Sequence, residues 1–132
     1  MGYRTVDEQD GEAFALAHRL AKAMWTRVRR EFGIKDTYRV VLTACNPETL
    51  ANLRAPVSHV LPQRDKPDMV ILRVSKAEIV HSAFGTETLP REFANVVCKI
   101  KPELGDPYRC DDGWQKVVKK LGGSIDMQFA LG

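Results

Sequence analysis

Long apolar runs are missing from this sequence. No stretch approaches about eighteen consecutive apolar residues, so no transmembrane helix is expected, and the acidic, polar start MGYRTVDEQDGEAF does not read as a secretory signal. Cysteine is sparse: Cys45, Cys98 and Cys110 form an odd set without CxxC spacing, which excludes a zinc knuckle. Such a set suits a reducing, cytoplasmic compartment better than a disulfide framework. None of the three histidines, His18, His59 and His81, has a partner at metal-ligand spacing. The phosphate-cradling patterns GxxxxGKS/T and GxGxxG and the nucleophile elbow GxSxG are all missing. Charge of one sign is missing as well, since 20 basic residues face 17 acidic ones and the net charge of +3 does not by itself indicate a nucleic-acid partner. No internal repeat, low-complexity tract or linker divides the chain, so a single domain over residues 1–132 is expected.

What is present reads as a folded α+β protein. With 44% apolar and 28% charged residues the composition lies far from that of disordered chains, and the length allows a sizeable core. From Gly11 to Phe32 the residues Phe14, Ala17, Leu20, Ala21, Met24, Trp25, Val28 and Phe32 recur at three- and four-residue steps, which predicts a long helix closed by Gly33. Tyr38 to Cys45 reads as a strand stopped by Asn46-Pro47. A short extended piece from Val57 to Leu61 is expected to pair with it. Asp68 to Ser75 is a second strand, with Val70, Leu72 and Val74 on one face. Ser75 and Glu78 have capping-box spacing and open a short helix that ends by Gly85.

A third helix begins near Thr88, with Pro90 in its first turn and Phe93, Val96, Val97 and Ile100 on its core face. After the irregular loop KPELGDPYRC, Asp111 or Asp112 caps a fourth helix with Trp114, Val117, Val118 and Leu121 facing inward, ended by Gly122-Gly123. The tail SIDMQFALG alternates apolar and polar residues, as an edge strand or a strap does. The expected architecture is a long N-terminal helix, a small and mostly antiparallel sheet, and two or three C-terminal helices.

The stretch TLPREFANVVCKIKP, followed by a loop and DDGWQKVVKKLGG, resembles the core of SprT-like zinc metallopeptidases. The resemblance is best over Val70 to Gly123, and it implies a zincin-like fold. Such enzymes need two neutral imidazoles four residues apart, with a glutamate between them as general base and a third histidine beyond a loop. Aligned on that glutamate, Glu92 stands at the general base, Arg91 and Asn95 stand at the two histidines, and Cys110 to Asp112 fall at the third ligand. Arginine offers a metal no lone pair and asparagine binds transition metals poorly. The resemblance therefore implies a degenerate form with no catalytic residues, no metal and no cofactor.

Arg91 and Asn95 share a helix face expected to point away from Phe93, Val97 and Ile100. An ion pair from Arg91 to Asp111 or Asp112 is the simplest replacement for the metal. Glu92 with Asp111 or Asp112 is a carboxylate pair in principle, although caps and solvated faces also account for these residues.

Two basic helical stripes complete the inventory: Arg19, Lys22, Arg27, Arg29 and Arg30 on the first helix, and Lys116, Lys119 and Lys120 on the fourth. A solvated helix face is the ordinary reading of each. The functional reading is contact with a partner or with nucleic-acid backbone, without base stacking because Trp25 and Trp114 lie on core faces. Three functions stay open: a pseudo-metallopeptidase that binds a protein partner without turnover, a sequence-independent nucleic-acid binder, and an enzyme of unfamiliar chemistry using Arg91, Glu92 and Asn95. The first is favoured, and the short single-domain form suggests a phage or other mobile-element product that interferes with host defence.

Overall fold

The computed structural model describes residues 6–35, 37–45, 58–64, 68–81 and 83–123. Helix α1 spans Val6–Phe32 and begins five residues before the expected start at Gly11. Ala17, Ala21, Trp25 and Val28 form its buried seam, whereas Leu16 and Leu20 stay exposed on the flank of that seam. The helix stops at Gly33, whose φ of +63° reverses the chain while the Ile34 amide bonds back to the Arg29 carbonyl at 3.0 Å. That turn satisfies a terminal carbonyl and tucks Ile34 into the core.

Three strands follow: β1 Tyr38–Cys45, β2 Ser58–Leu61 and β3 Asp68–Ser75. The sheet order is β1-β3-β2. Strands β1 and β3 are parallel, with Val40 opposite Val70 and Leu42 opposite Leu72. Strand β2 runs antiparallel to β3, with Val60 opposite Val70. The sheet is thus mixed rather than mostly antiparallel, and β2 pairs with β3 instead of β1. Strand β3 is therefore central, with β1 on one edge and β2 on the other. Val70, Leu72 and Val74 point into the core and are 0 to 2% exposed. Val57 and the tail from Ser124 lie outside the described residues.

Ser75 ends β3 and caps α2, Lys76–Ile79, by accepting the Glu78 amide at 3.1 Å. The expected longer helix to Gly85 is not formed. A single wide turn at Phe84–Thr88 feeds directly into α3, Leu89–Ile100, where the Leu89 amide bonds to the Phe84 carbonyl. This five-residue register lies just ahead of Pro90, whose ring has no N–H and would crowd the carbonyl four residues back in an ordinary turn.

Helix α3 is the centre of the molecule. Leu89, Pro90 and every residue from Phe93 to Cys98 are buried, because α1, β2, α4 and the turn at Phe84–Thr88 all pack around it. Trp25 of α1 stacks on Phe93 at 6.0 Å between ring centroids and meets Tyr38 of β1 edge-on at 6.0 Å. A short 3-10 turn at Pro102–Leu104 leads to α4, Asp112–Lys120, which buries Trp114, Val117 and Val118 as its apolar period requires. Among the described residues the buried apolar side chains form one core. No helix of the described residues is long and apolar enough to cross a membrane.

Candidate functional site

The three positions singled out on α3 go to different places. Asn95 does not face solvent: it is 7% exposed, and its Oδ1 accepts the indole N–H of Trp114 on α4 at 2.8 Å. The expectation that Arg91 and Asn95 share an outward face fails because α3 is surrounded on several sides. A helix packed that way has no free polar face, so the amide had to find an internal partner. Arg91 is half-buried beside the third-ligand segment, close enough for its charge to favour the thiolate of Cys110.

Glu92 turns toward the sheet. The Ser58 hydroxyl donates to Glu92 Oε2 and also approaches the Glu92 backbone oxygen at 3.3 Å, while Lys99 donates to the Ser58 carbonyl. Ser58 is fully buried. One residue of β2 is therefore bonded to α3 through both its side chain and its main chain. Burial pushes the Glu92 carboxyl up to about 7, helped by repulsion from Glu78 and opposed by hydrogen bonds from Ser58 and Asn95 and by the Lys99 charge. The same burial holds Lys99 below its ordinary value, with Glu92 working against it. Glu92, Ser58, Asn95, Lys99 and Trp114 form one internal polar network linking β2, α3 and α4.

Asp111 is committed elsewhere. Its Oδ1 accepts the Trp114 amide at 2.9 Å, capping α4, and its Oδ2 accepts the Asp106 amide at 2.9 Å, clasping the preceding loop. These two backbone donors hold its carboxyl below the usual range. Among the described residues no ion pair joins Arg91 to Asp111 or Asp112, so the expected replacement for a metal is not built. Each Asp111 oxygen instead accepts a backbone N–H. Asp112 is exposed in the first turn of α4. Nor do Glu92 and Asp111 or Asp112 make a carboxylate pair, since the charges acting on Glu92 are those of Glu78 and Lys99.

Cys110 sits at a left-handed φ of +48°, its Sγ donating to the Pro107 carbonyl at 3.4 Å and its own carbonyl accepting Gln115 Nε2 at 2.8 Å. His81 Nδ1 accepts the Ala83 amide at 3.0 Å, which occupies a lone pair a metal would need. Among the described residues no group of three His, Cys, Asp or Glu side chains is placed to hold a metal ion.

The basic stripes stay on the surface and meet. Arg19, Lys22, Arg27 and Arg30 are exposed on α1, with Arg29 half-buried, and Lys116, Lys119 and Lys120 are exposed on α4. Arg27 donates to the Lys120 carbonyl at 3.0 Å, across the C-terminus of α4. Lys120 in turn lies 5.2 Å from the Phe32 ring and 3.9 Å from Glu31. Residues 93 apart in sequence thus close one cationic surface at the ends of both helices. No family model, curated protein or solved structure matches this chain.

Sequence reasoning missed Ser58, Lys99 and the role of Trp114. A signal existed in the polar residues Glu92, Asn95 and Lys99, which recur at helical spacing within an otherwise apolar stretch. Such a pattern marks a polar seam inside a packed helix as well as an exposed stripe.

Proposed function

We propose that this chain is a non-catalytic binding module, a zincin-like pseudo-metallopeptidase that holds an acidic macromolecular partner, a protein first of all. The observation that carries this reading is the internal commitment of the residues at the resembled catalytic positions. Asn95 is spent on Trp114, and Glu92 is spent on Ser58. A general base must reach a proton on a substrate, and the half-buried Glu92 carboxyl is already engaged by the Ser58 hydroxyl. The remaining outward chemistry is cationic. Free Cys45, Cys98 and Cys110 agree with a cytoplasmic place of work, and a phage or other mobile element would use such a module as a decoy or inhibitor of a host protein.

Sequence-independent contact with nucleic-acid backbone is the second reading, favoured by the union of the two stripes through Arg27 and Lys120. The decisive experiment is incubation of the purified chain with denatured casein, with and without added zinc, beside Glu92→Gln. Equal, background cleavage in every arm is expected. Zinc-dependent cleavage that Glu92→Gln abolishes refutes the non-catalytic reading.

A further inference from the structure

Where α1 crosses β1 the surface opens into a groove of about 380 Å³ lined by His18, Lys22, Trp25, Thr26, Arg39 and Val41. Its polar rim is made of donors. Lys22 and Arg39 are exposed cations, His18 is a half-buried imidazole, and among the described residues no carboxylate lines the wall. Its floor is apolar, with Trp25 only 5% exposed. The indole Nε1–H of that tryptophan is buried without any hydrogen-bond acceptor, an unmet donor of the kind folded proteins rarely leave.

Strand β1 is the outer strand of the sheet, and among the described residues it is paired on its β3 side only. In a parallel pairing, alternate residues direct their N–H and C=O groups to the unpaired side, where an extended chain can add. Cationic rim, apolar floor and open strand edge coincide at one place.

We infer that this groove takes an extended acidic segment of a partner protein, added along the free edge of β1 with its carboxylates over Lys22 and Arg39. The inference rests on reading the chain as a binding module and names the surface that does the binding. Extended peptides gain affinity from main-chain bonds to a strand edge and selectivity from the side chains beside it. A nucleic acid fits this groove less well, since Trp25 is too enclosed to stack on a base.

The test is fluorescence anisotropy of the whole chain with a labelled peptide of alternating glutamate and valine, its lysine–valine counterpart, and labelled oligothymidylate. The glutamate peptide alone should bind through the groove. Lys22→Glu and Arg39→Glu should each weaken it by about tenfold, and Arg39→Lys should retain most of the affinity. Both positions are exposed, so the variants should melt like the wild type. Backbone amide shifts on binding should concentrate in β1.

Failure of the glutamate peptide to bind, indifference to both reversals, or displacement of the peptide from the groove by oligothymidylate overturns the inference. Casein cleavage reports separately on the proposed function. A chain that neither cleaves casein nor binds the peptide removes the groove alone.

Discussion

At the scale of single residues, Glu92 carries a pH dependence whose sign follows from its surroundings. The carboxyl moves from an ordinary 4.5 to about 7 in the folded chain, mainly through desolvation. Between those values the folded state binds the proton more tightly than the unfolded state does. Its contribution to stability is therefore complete below about 4.5 and is lost as the pH rises to 7. Each unit of pKa difference corresponds to ~1.4 kcal/mol, so the change across this window is a few kcal/mol at most. Glu92→Gln keeps the shape and removes the titration. Melting of both proteins from pH 5 to pH 8 should show the wild type losing stability relative to the glutamine variant. A constant difference across that range means that Glu92 is ionised throughout.

Asp111 has the opposite sense. Its lowered pKa adds stability that is present above the unfolded value and disappears as pH falls through the folded one. The Asp111 cap was readable from sequence because a cap concerns one turn of chain. The environment of Glu92 was not, because its partner Ser58 lies 34 residues away.

Among the elements, α3 and α4 are held together by the Asn95–Trp114 bond and by tight backbone contact. Truncation with Asn95→Ala removes the acceptor that Asn95 offers the buried indole N–H, and thermal or urea unfolding should register a loss of about 1–3 kcal/mol. Trp114→Phe in that background removes a donor that has already lost Asn95, so its additional cost should be smaller than in the wild type. Near-wild-type melting of Asn95→Ala shows that the amide is replaceable by water. Restoring imidazoles with Arg91→His and Asn95→His should give no zinc-dependent cleavage of casein, since the second imidazole enters a site closed by Trp114 and among the described residues no third ligand is placed to complete a metal site.

Contact at the start of α4 is closer still. A Cβ at Gly113 overlaps the Leu104 carbonyl oxygen, and one at Gly105 overlaps the Trp114 backbone nitrogen. Gly113→Ala should therefore destabilise the chain strongly, through the backbone of a crossing loop that has no room to move, whereas Gly11→Ala on α1 meets open space and should not. Comparable melting temperatures for the two variants contradict that contact.

For the whole molecule, the two helical stripes adjoin where Arg27 meets the Lys120 carbonyl. Under the nucleic-acid reading, oligothymidylate should bind weakly, with affinity falling steeply as salt rises, because each neutralised phosphate releases counterions. Replacing Arg27, Arg29 and Arg30 by glutamate should abolish that binding and flatten its salt dependence. Tight binding that survives high salt, or that ignores these changes, excludes this surface.

The amphipathic faces of α1 and α4, the strand at Tyr38 to Cys45, the core face Val70, Leu72 and Val74, and the stops at Gly33 and Gly122 were legible in the sequence, whereas the stop expected at Gly85 was not met. They depend on periodicity and capping within a few residues of chain. The identity of the cationic residues was legible for the same reason. Strand order was not, because the four residues of β2 bear too little pattern to choose between two neighbouring strands.

Nor could the sequence place Asn95. Polarity marks a residue's preference for water, while burial depends on how many elements surround its helix. The sequence by itself determined which segments become helix or strand and which face of each seeks the core. Only the tertiary structure decided that Glu92 meets Ser58, that Asn95 meets Trp114, and that Arg27 reaches Lys120, because these contacts join segments whose meeting no local pattern encodes.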